Sequence, residues 1–473
     1  MGSSISKYLT LILFWSIAHL GHSQNVFNKA FDESNTANHT ANVLEYSTQF
    51  YFTQKSFING DAVIQGLILD TNGLLVLKKP LVVNSNFNLY YGYAGALQYL
   101  SNNEFCQLYN VGLDSILQLV FFDDSLNVIK NTEYVFNNYV NAGVIKQIND
   151  SSLLVLGRVK VANDYNLVLI NTDLQGNERW RTIFGESGKD DYGFAIEYVN
   201  NKILVSGNST DLGAHLFEFD ITGSLTFDTI YTNYDFGRNV KYHPNYGLYF
   251  LVDRKNVGVS QRFPVLLKLN TNYTIEWQKE YFTDVVYTYF QQLTISNQGT
   301  ITFGGGTIAN NLLTGLFFQV NQNGDSIGVK LIDHLANENS QFHDIRPTSD
   351  GGYILAGETD APTQDSWIVK VNAWGCDNIP CVVGINEQPR NEDNELNCYP
   401  NPSNGWGTLK GSFENGHSAN EIKIFNSLGQ LVFSKTIVAK EFEMEVNLPS
   451  SGLYLVNLYQ RDMVVKSLKW VVR

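Results

Sequence analysis

The amino-acid sequence predicts an all-β protein: a seven-bladed β-propeller followed by a small antiparallel immunoglobulin-like β-sandwich. Three observations support this prediction. Aromatic residues make up 13% of the 473 residues and charged residues only 16%, a composition typical of globular β proteins. A strand-and-turn motif recurs about every fifty residues. The sequence Pro-Asn-Pro then precedes the last seventy or so residues, which follow a different pattern.

Residues 1–23 have the pattern of a secretory signal peptide. Lys7 precedes a short apolar stretch from Tyr8 to Leu20, and small residues stand just before Gln24. A positive residue, an apolar run and small residues, in this order, are the signature of a cleaved export signal. A membrane anchor is the alternative, but it needs roughly 20 apolar residues in a row. We therefore expect an exported chain without a membrane span after cleavage.

Seven copies of one motif predict the propeller. Each copy is a short apolar strand, then Asn or Asp, then a turn that usually contains glycine, as in LVLINTDLQG from Leu167. A nearly constant period indicates a repeat architecture. Since glycine tolerates left-handed turns best, the copies without it, at Leu126 and Tyr273, are expected to differ or to be strained. The turn positions are Gly73, Leu126, Gly176, Gly223, Tyr273, Gly324 and Gly375, at spacings of 53, 50, 47, 50, 51 and 51 residues.

The content of each repeat favours propeller blades over an open stack of β units. Each repeat has about four strands and no helical periodicity, as a blade does. The strands are also apolar on both faces: Leu167 and Leu169 point one way, and Val168 and Ile170 the other. A strand with one wet face would alternate between apolar and polar residues. Because blades pack between neighbours, both faces of their strands should be buried.

The propeller is predicted to span residues 24–376 and to be closed by its N-terminal strand. The last repeat ends at Gly375 without an outer strand. Outer strands of other repeats carry two aromatic residues four positions apart, such as Trp180 and Phe184, and Val26–Phe31 has two phenylalanines at this spacing. We predict that this stretch is the missing strand, which would leave no open edge. The alternative is a loose N-terminal arm.

Residues 377–397 are predicted to be a linker, and residues 398–473 a separate domain. The linker is polar and acidic and contains proline. After it, apolar and polar residues alternate: Ile422 and Ile424 stand on one face of a strand and Lys423 on the other. One face of each strand is therefore wet, which fits a small antiparallel sandwich.

An ordered set of short motifs runs through this domain. They are a Tyr-Pro-Asn-Pro sequence with a glycine shortly after it, a Leu-Gly-Gln turn, a Gly-Leu-Tyr sequence and a closing Lys-Trp-Val-Val. In this order they resemble the C-terminal type A sorting domain of cargo for the type IX secretion system of Gram-negative bacteria. Trp470 departs from that family, where a smaller apolar residue is more usual. The matching residues include Tyr399, Pro400, Asn401, Pro402, Gly405, Gly429, Gly452, Tyr454 and Lys469.

The resemblance implies an export route and partners. The signal peptide would take the chain to the periplasm, and the outer-membrane translocon would then recognise the sorting domain. A sortase-like protease would remove the domain within the accessible linker. The protein would be secreted or attached to the cell surface. The alternative is that the sandwich is a further adhesive module.

Four cysteines, Cys106, Cys376, Cys381 and Cys398, are present. Export makes disulfides possible. Cys376 and Cys381 flank a loop of only four residues and are the expected pair. Cys106 is expected to be a buried thiol. The spacing does not resemble that of a zinc site.

The sequence shows no recognisable catalytic set. His-Glu-x-x-His does not occur, and Gly324–Gly328 fits Gly-x-Ser-x-Gly only at the turn of a repeat, without the helix that should follow the nucleophile in this motif. His334 and His343 are interpreted as surface residues of a loop. We therefore predict no catalytic, cofactor-binding or metal-ligating residues. Acidic residues in equivalent loops could hold calcium or a sugar, but turn chemistry explains them equally well: Asp164, Asp211, Asp253, Asp360 and Asp365.

Two functions remain open on this evidence. The net charge of −14 argues against nucleic acid as a partner. The lack of a catalytic motif favours a non-enzymatic binding or structural module, with a carbohydrate or protein ligand on a propeller face. The alternative is a secreted hydrolase or lyase that acts on polysaccharide through the propeller channel. Carboxylates or a histidine with strongly shifted pKa values in that channel would favour the enzyme.

Overall fold

The chain forms two units, Met1–Cys381 and Val382–Arg473, in a computed structural model. The predicted signal peptide, Cys381, Gly429 and most of the predicted linker lie outside the described residues. No helix that could cross a membrane occurs in the part of the chain that is described. The described residues are 25–32, 37–84, 89–91, 94–111, 115–255, 261–335, 337–360, 363–377, 395–412, 420–426, 431–460 and 463–473.

The first unit is built from antiparallel strands that follow one another along the chain. They are β1 (Phe27–Phe31), β2 (His39–Tyr46), β3 (Gln49–Ile58), β4 (Asp61–Leu69), β5 (Leu75–Asn84), β6 (Leu89–Tyr91), β7 (Leu97–Tyr99), β8 (Phe105–Val111), β9 (Ile116–Phe122), β10 (Val128–Val135), β11 (Val140–Asn149), β12 (Ser152–Val161), β13 (Asp164–Thr172), β14 (Glu178–Phe184), β15 (Asp191–Val199), β16 (Lys202–Ser209), β17 (Gly213–Phe219), β18 (Leu225–Tyr231), β19 (Phe236–His243), β20 (Gly247–Lys255), β21 (Arg262–Leu269), β22 (Ile275–Glu280), β23 (Thr288–Ile295), β24 (Ile301–Ala309), β25 (Leu312–Val320), β26 (Ser326–Ile332), β27 (Ser340–Pro347), β28 (Tyr353–Thr359) and β29 (Asp365–Val371).

Within the described residues these strands form seven sheets, the blades of a β-propeller. Blades 1 (β2–β5), 3 (β11–β14), 4 (β15–β18), 5 (β19–β22) and 6 (β23–β26) each take four consecutive strands. In blade 2, β6 and β7 both pair with β8, and β9 and β10 follow. Blade 7 consists of β27, β28, β29 and β1. We call the end of the ring where the innermost strands begin the upper face, and the opposite end the lower face.

The N-terminal strand β1 is the outermost strand of blade 7. It pairs antiparallel with β29, and Phe27 stands opposite Lys370. A Cβ atom on Gly73 in the turn of blade 1 would lie 2.6 Å from the ring of Phe27. Trp180 packs in the same way on Gly223 of the following blade. The aromatic residues of an outer strand therefore cover the turn of the next blade, which explains their repeated spacing.

Interfaces between blades bury both faces of the middle strands. Leu167, Val168, Leu169 and Ile170 of β13 are all fully buried. Val168 and Ile170 belong to the core shared with blade 2, whereas Leu167 and Leu169 belong to the core shared with blade 4. The continuous apolar runs in the sequence follow from this packing between two neighbours.

All seven repeated turns adopt the same left-handed conformation, and the two without glycine are no exception. Leu126 has φ of 58° and Tyr273 has φ of 60°. Each turn begins with Asp or Asn, whose side chain accepts two backbone N–H groups. Asp123 Oδ1, for example, accepts from the N–H groups of Ser125 (3.0 Å) and Asn127 (2.8 Å). These bonds help to offset a left-handed strain of about 1 kcal/mol at Leu126.

The second unit is a sandwich of two antiparallel sheets. One sheet has the order β30-β31-β34 and the other β33-β32-β35-β36. Apolar side chains from both sheets form the core, among them Leu409, Ile422, Val456 and Trp470. The strands are β30 (Glu395–Tyr399), β31 (Trp406–Ser412), β32 (Asn420–Asn426), β33 (Leu431–Ile437), β34 (Glu441–Asn447), β35 (Gly452–Gln460) and β36 (Met463–Val472).

The predicted boundary between linker and second domain is wrong by three residues. The linker was expected to include residues 377–397, but β30 already begins at Glu395. Leu396 is 7% exposed in the core, and its backbone stands opposite Gly411 of β31. One buried leucine among polar neighbours is a weak sequence signal, and the strand was therefore assigned to the linker.

The cysteines differ in state. Cys376 is disulfide-bonded, whereas Cys106 and Cys398 are free thiols. The predicted partner of Cys376, Cys381, lies outside the described residues, so this pairing stays a prediction. Cys106 is fully buried, and burial raises the pKa of its thiol. The thiol therefore stays protonated and unreactive.

Candidate functional site

The Tyr-Pro-Asn-Pro motif of the second unit lies against the last strand of the sandwich. Asn401 Nδ2 donates to the carbonyl of Lys469 (2.7 Å), and the N–H of Val471 donates to Asn401 Oδ1 (2.9 Å). Ser403 continues the contact through a parallel bridge to Val472. The asparagine side chain thus bonds to β36 where the two prolines cannot donate backbone hydrogen bonds.

The predicted sorting residues divide into a buried and an exposed set. Gly405 and Tyr454 are buried, and the Tyr454 hydroxyl donates to the carbonyl of Ser450 (2.8 Å). These residues hold the sandwich together, and Gly452 opens β35 at the surface. A partner protein can reach the exposed set, which is Tyr399, Pro400, Asn401, Pro402 and Lys469.

The five acidic residues do not converge on one site, and the prediction that all of them lie in loops is wrong. Asp164, Asp253 and Asp365 lie in β13, β20 and β29. None of the five belongs to a group of three side chains that could hold a metal ion, as far as the described residues go. Ion pairs and turn hydrogen bonds account for them individually. The partners are the Gly188 N–H for Asp164, Lys189 for Asp211, Arg238 for Asp253, Asn339 for Asp360 and Thr363 for Asp365.

Arginines lie over aromatic rings on the upper face of blades 3 to 5, which sequence analysis did not predict. The guanidinium of Arg158 lies between Tyr165, 4.1 Å from the ring centre, and Tyr192, at 3.7 Å. Arg262 lies 4.6 Å from the ring centre of Phe236. Two further contacts are Arg238 over Phe236 and Arg254 over Tyr234.

These arginines differ in how far their charge is neutralised. Arg238 Nε donates to the buried carboxylate of Asp253 (2.8 Å). Arg262 forms no ion pair within the described residues. Arg158 Nε and Nη2 are buried without a hydrogen bond, and Nη2 lies 3.7 Å from Asp190. Arg262 therefore keeps donors that an anionic ligand could use, whereas the unbonded donors of Arg158 are buried.

A cavity of about 580 Å³ lies between blades 4 and 5 beside these arginines. Its volume is in the range of small-molecule sites. Aromatic, amide and charged side chains line it together. They include Tyr192, Asn208, Asp211, Tyr234, Asp235, Phe236 and Arg262.

A chain of polar side chains runs through blade 4 from Ser209, which also lines the cavity. Ser209 donates to Asp191, Ser209 Oγ lies 3.0 Å from His215 Nδ1, and His215 Nε2 lies 3.2 Å from Asp228 Oδ2. Burial raises the pKa of Asp191 to about 6. Although the set contains Ser, His and Asp, Ser209 is 1% exposed and already bonded to Asp191. It is therefore not presented as a nucleophile.

Polar side chains fill the centre of the ring. Asn239 Nδ2 donates to Gln292 Oε1 (2.6 Å), and Gln292 Nε2 donates to the carbonyl of Ala94 (3.0 Å). The cavity that remains beside them measures about 50 Å³. That volume holds one or two water molecules of about 30 Å³ each. This cavity is too small for a sugar ring of a polysaccharide.

A carboxylate with two lysines lies farther along the channel, towards the lower face. Glu197 is 3.6 Å from Lys146 and 3.1 Å from Lys241. Burial would raise the pKa of Glu197, but the two lysines lower it. Lys241 and burial lower the pKa of Lys146 to about 8. Glu197 therefore stays ionised and is unsuited to donate a proton.

The prediction that His343 is a surface loop residue is wrong. His343 lies in β27, the innermost strand of blade 7, and its side chain is 18% exposed. Its neighbour Phe342 is fully buried and stacks on Trp367 at 4.2 Å. The stretch around it alternates between apolar and polar residues over too few positions for the strand to be evident. His334 does lie outside the strands.

Comparison with known families identifies the second unit. Residues 397–473 match the family described as the secretion system C-terminal sorting domain. This match confirms the resemblance drawn from the ordered motifs. It also supports export to the outside or to the outer-membrane surface of a Gram-negative bacterium. No curated protein matches the chain.

Solved structures are similar to the chain at low sequence identity. One is a subtype N10 neuraminidase-like protein of A/little yellow-shouldered bat/Guatemala/060/2010, with 10% identity, 74% of this chain and 96% of that chain covered, and a TM-score of 0.36. Another is the polysaccharide lyase Uly1, with 10% identity, 75% and 93% covered, and a TM-score of 0.45. Likeness at this level carries no argument about activity, so function is argued from the chain's own residues.

Proposed function

We propose that this type IX secretion cargo, whose C-terminal sorting domain follows a seven-bladed propeller, is a non-enzymatic module that binds an anionic polysaccharide. The binding site would be the cavity between blades 4 and 5 on the upper face. The ligand class is a glycan with carboxylate or sulfate groups. The protein would meet such polymers at the cell surface or in the surrounding medium.

The pair of Arg262 and Phe236 is the observation that carries this proposal. Arg262 forms no ion pair within the described residues, and its guanidinium carbon lies 4.6 Å from the centre of the Phe236 ring. A planar guanidinium binds carboxylate or sulfate oxygens through two parallel hydrogen bonds. The stacked ring lowers the entropy cost of fixing the side chain. A fixed cation in a protein with a net charge of −14 points to an anionic ligand.

The other cavity residues supply what a sugar ring needs. The ring of Tyr192 offers apolar surface with a hydroxyl at the edge, and Asn208 offers an amide. Arg158, stacked on Tyr192, adds a second cation next to the cavity. Uronate or sulfated sugars present an apolar ring face, hydroxyl groups and a negative charge.

The two carboxyl groups with raised pKa in blades 4 and 5 support binding over catalysis. Asp191 and Asp253 have raised pKa values because they are buried, and neither side chain is exposed. A general acid must reach the bond that breaks. The alternative of a hydrolase or lyase that acts through the channel receives no support from a central cavity of about 50 Å³.

The export route suggests roles for the sorting domain and for the linker before it. The sorting domain implies contact with the type IX secretion machinery. We propose that the translocon contacts the exposed set of Tyr399, Pro400, Asn401, Pro402 and Lys469. A sortase-like protease would then cut in the linker before Glu395, where the sandwich begins. The propeller would remain outside the cell.

Binding can be tested with three polysaccharides and two arginine variants. The probes are a polyuronate, a sulfated galactan and a neutral glucan, and affinity is measured by calorimetry or gel retardation. We expect binding to one or both anionic polymers and none to the glucan. R262A should weaken binding about tenfold or more, equal to about 1.4 kcal/mol. R179A is the matched control, because Arg179 already donates to Ser152 on another strand.

Three outcomes would contradict the proposal. If the protein binds neither anionic polymer, the proposed ligand class is wrong. If R262A and R179A lose affinity equally, the proposed site is wrong. Release of new reducing or unsaturated sugar ends during incubation would show that the module is an enzyme. In that case the polysaccharide lyase or hydrolase alternative would replace the non-enzymatic one.

A further inference from the structure

Two histidines and a glutamate meet at the upper face where blade 7 joins blade 1. His39 begins β2, His343 lies in β27 and Glu358 in β28. His39 Nε2 is 3.1 Å from Glu358 Oε2, and His343 Nε2 is 3.5 Å from Glu358 Oε1. One ligand atom from each residue lies within 4.8 Å of the other two. We propose that these three residues form a binding site for a divalent transition-metal ion, with zinc as the best fit.

The distances are close to those that zinc requires. Zinc bonds to histidine nitrogen and carboxylate oxygen are about 2.0–2.1 Å long, so two ligand atoms in a tetrahedral site lie about 3.3–3.4 Å apart. The separations of 3.1 and 3.5 Å lie on either side of this value, and each ends on a different oxygen of Glu358. Small side-chain rotations would bring one oxygen within this range of both imidazoles. The backbone therefore holds the three ligands close enough to share one ion.

A buried atom without a partner supports the same site. His343 Nε2 is buried and has no hydrogen bond, although it faces the carboxylate of Glu358. Buried polar atoms normally have a hydrogen-bond partner, and an exception needs an explanation. A metal ion between the imidazole and the carboxylate would use the lone pair of this nitrogen.

Further side chains hold the carboxylate in place. The amides of Gln341 and Gln364 both donate to Glu358, the second over 2.6 Å. The hydroxyl of Tyr289 donates to Gln341 Oε1 (2.5 Å) in turn. Metal ligands are commonly oriented by such outer hydrogen bonds. A surface ion pair needs no support of this kind.

Three protein ligands leave a fourth position open. In zinc sites such a position holds water or a ligand group. The side chain of His39 is 37% exposed, so this position is accessible from the upper face. Two imidazoles and one carboxylate are also a ligand set for iron. Of the two metals we assign zinc, because the ligand atoms are spaced as a tetrahedral site requires.

The second group of similar composition does not carry the same argument. It consists of Glu186, His215 and Asp228. Both ring nitrogens of His215 are engaged, one with Ser209 (3.0 Å) and the other with Asp228 (3.2 Å). A metal would have to displace these contacts.

Metal uptake by the purified full chain, without a histidine tag, tests the proposal. After treatment with a chelator the protein is titrated with Zn²⁺ by calorimetry and with Co²⁺ by visible absorption. We expect one ion per chain, a tetrahedral cobalt spectrum and a higher melting temperature with zinc. H343A and E358Q should each lower zinc affinity about 100-fold or more. H243A is the matched control, because His243 stacks on Tyr246 elsewhere in the propeller.

Each result decides the matter. Zinc binding that is lost in H343A and E358Q but kept in H243A supports the site. If the wild-type protein takes up no zinc, or if the first two variants bind as well as H243A, the proposal is wrong. Circular dichroism shows whether each variant is folded, and H343Q replaces H343A if that variant is not.

Discussion

Trp470 occupies space that exists only because residue 407 is glycine. A Cβ atom on Gly407 would lie 2.2 Å from Cζ2 of Trp470, far inside van der Waals contact. Trp470 is fully buried, and its Nε1 donates to Ser403 Oγ (3.1 Å). The residue that departs from the sorting-domain pattern is thus matched by a glycine on β31. Each residue explains the other.

G407A is expected to destabilise the sandwich by about 1–3 kcal/mol, because the added methyl group must displace a buried indole. Denaturant unfolding of the full chain, followed by Trp fluorescence, measures the change. W470L in the G407A background should recover part of the loss. G328A is the control, since its Cβ would meet nothing closer than 3.4 Å. Equal effects of G407A and G328A would contradict this prediction.

N401A should reduce the amount of protein outside the cell. The variant loses both hydrogen bonds between the Asn401 side chain and β36, worth about 2 kcal/mol together. The measurement is the ratio of protein in the medium and on washed cells to protein in the periplasm. N404A, an exposed neighbour in the same segment, should be exported normally. Normal export of N401A would show that the translocon does not require this contact.

D123A and D173A should destabilise the propeller by similar amounts, about 1–3 kcal/mol each. Both carboxylates accept the same three hydrogen bonds within their turns. The turn of Asp173 has Gly176 at its left-handed position, whereas the turn of Asp123 has Leu126. The strain at Leu126 is present in the wild type and in D123A alike, so it does not add to the loss. Thermal and denaturant unfolding measure both variants, and a loss in D123A that exceeds that in D173A by about 1 kcal/mol or more would contradict this prediction.

The free energy of unfolding should depend on pH through Asp191. Burial raises the pKa of Asp191 to about 6, above an unfolded value of about 3.9, so the fold favours the protonated carboxyl. This stabilisation is complete below about pH 4 and is lost as the pH rises through 6. D191N mimics the protonated form and should remove the dependence. Between pH 4 and 8 we expect wild type to lose about 1–2 kcal/mol relative to D191N, after solvent screening.

A matched measurement separates Asp191 from other titrating groups. Asp150 is exposed in the turn between β11 and β12, so D150N should show the same pH dependence as wild type. If D191N and wild type also lose stability in parallel, the buried carboxyl is not the source. The free energy of unfolding would then not depend on whether the Asp191 carboxyl, which bonds to Ser209, is protonated.

Much of the fold could be predicted because the residues that define each repeat lie close together in the sequence. The Asp or Asn that begins each turn and the residue three positions later stand at fixed places in the chain. The sequence also placed an outer strand at Val26–Phe31, and β1 lies there, because Phe27 has the same task as Trp180. The conformation at Leu126 and Tyr273 was less evident, since local rules favour glycine at a positive φ.

The candidate sites could not be predicted, because they combine residues of neighbouring blades that lie far apart in the sequence. His39 and His343 meet only because the ring closes between blades 7 and 1. Arg262 and Tyr192 share a cavity although they belong to different blades. No residue spacing in the sequence predicts such contacts. The sorting motif was evident because all of its residues lie within one short domain of ordered strands.

Closure by β1 also determines when the propeller can be complete during folding. Phe27 and Lys370 pair across almost the whole first unit, so their contact has a very high sequence separation. Contacts of this kind form slowly, because a long loop must close first. Until then β29 is an unpaired edge that a strand of another molecule could join. A chain that loses β1 should therefore exchange strands between molecules and form dimers or larger assemblies more readily than the intact chain does.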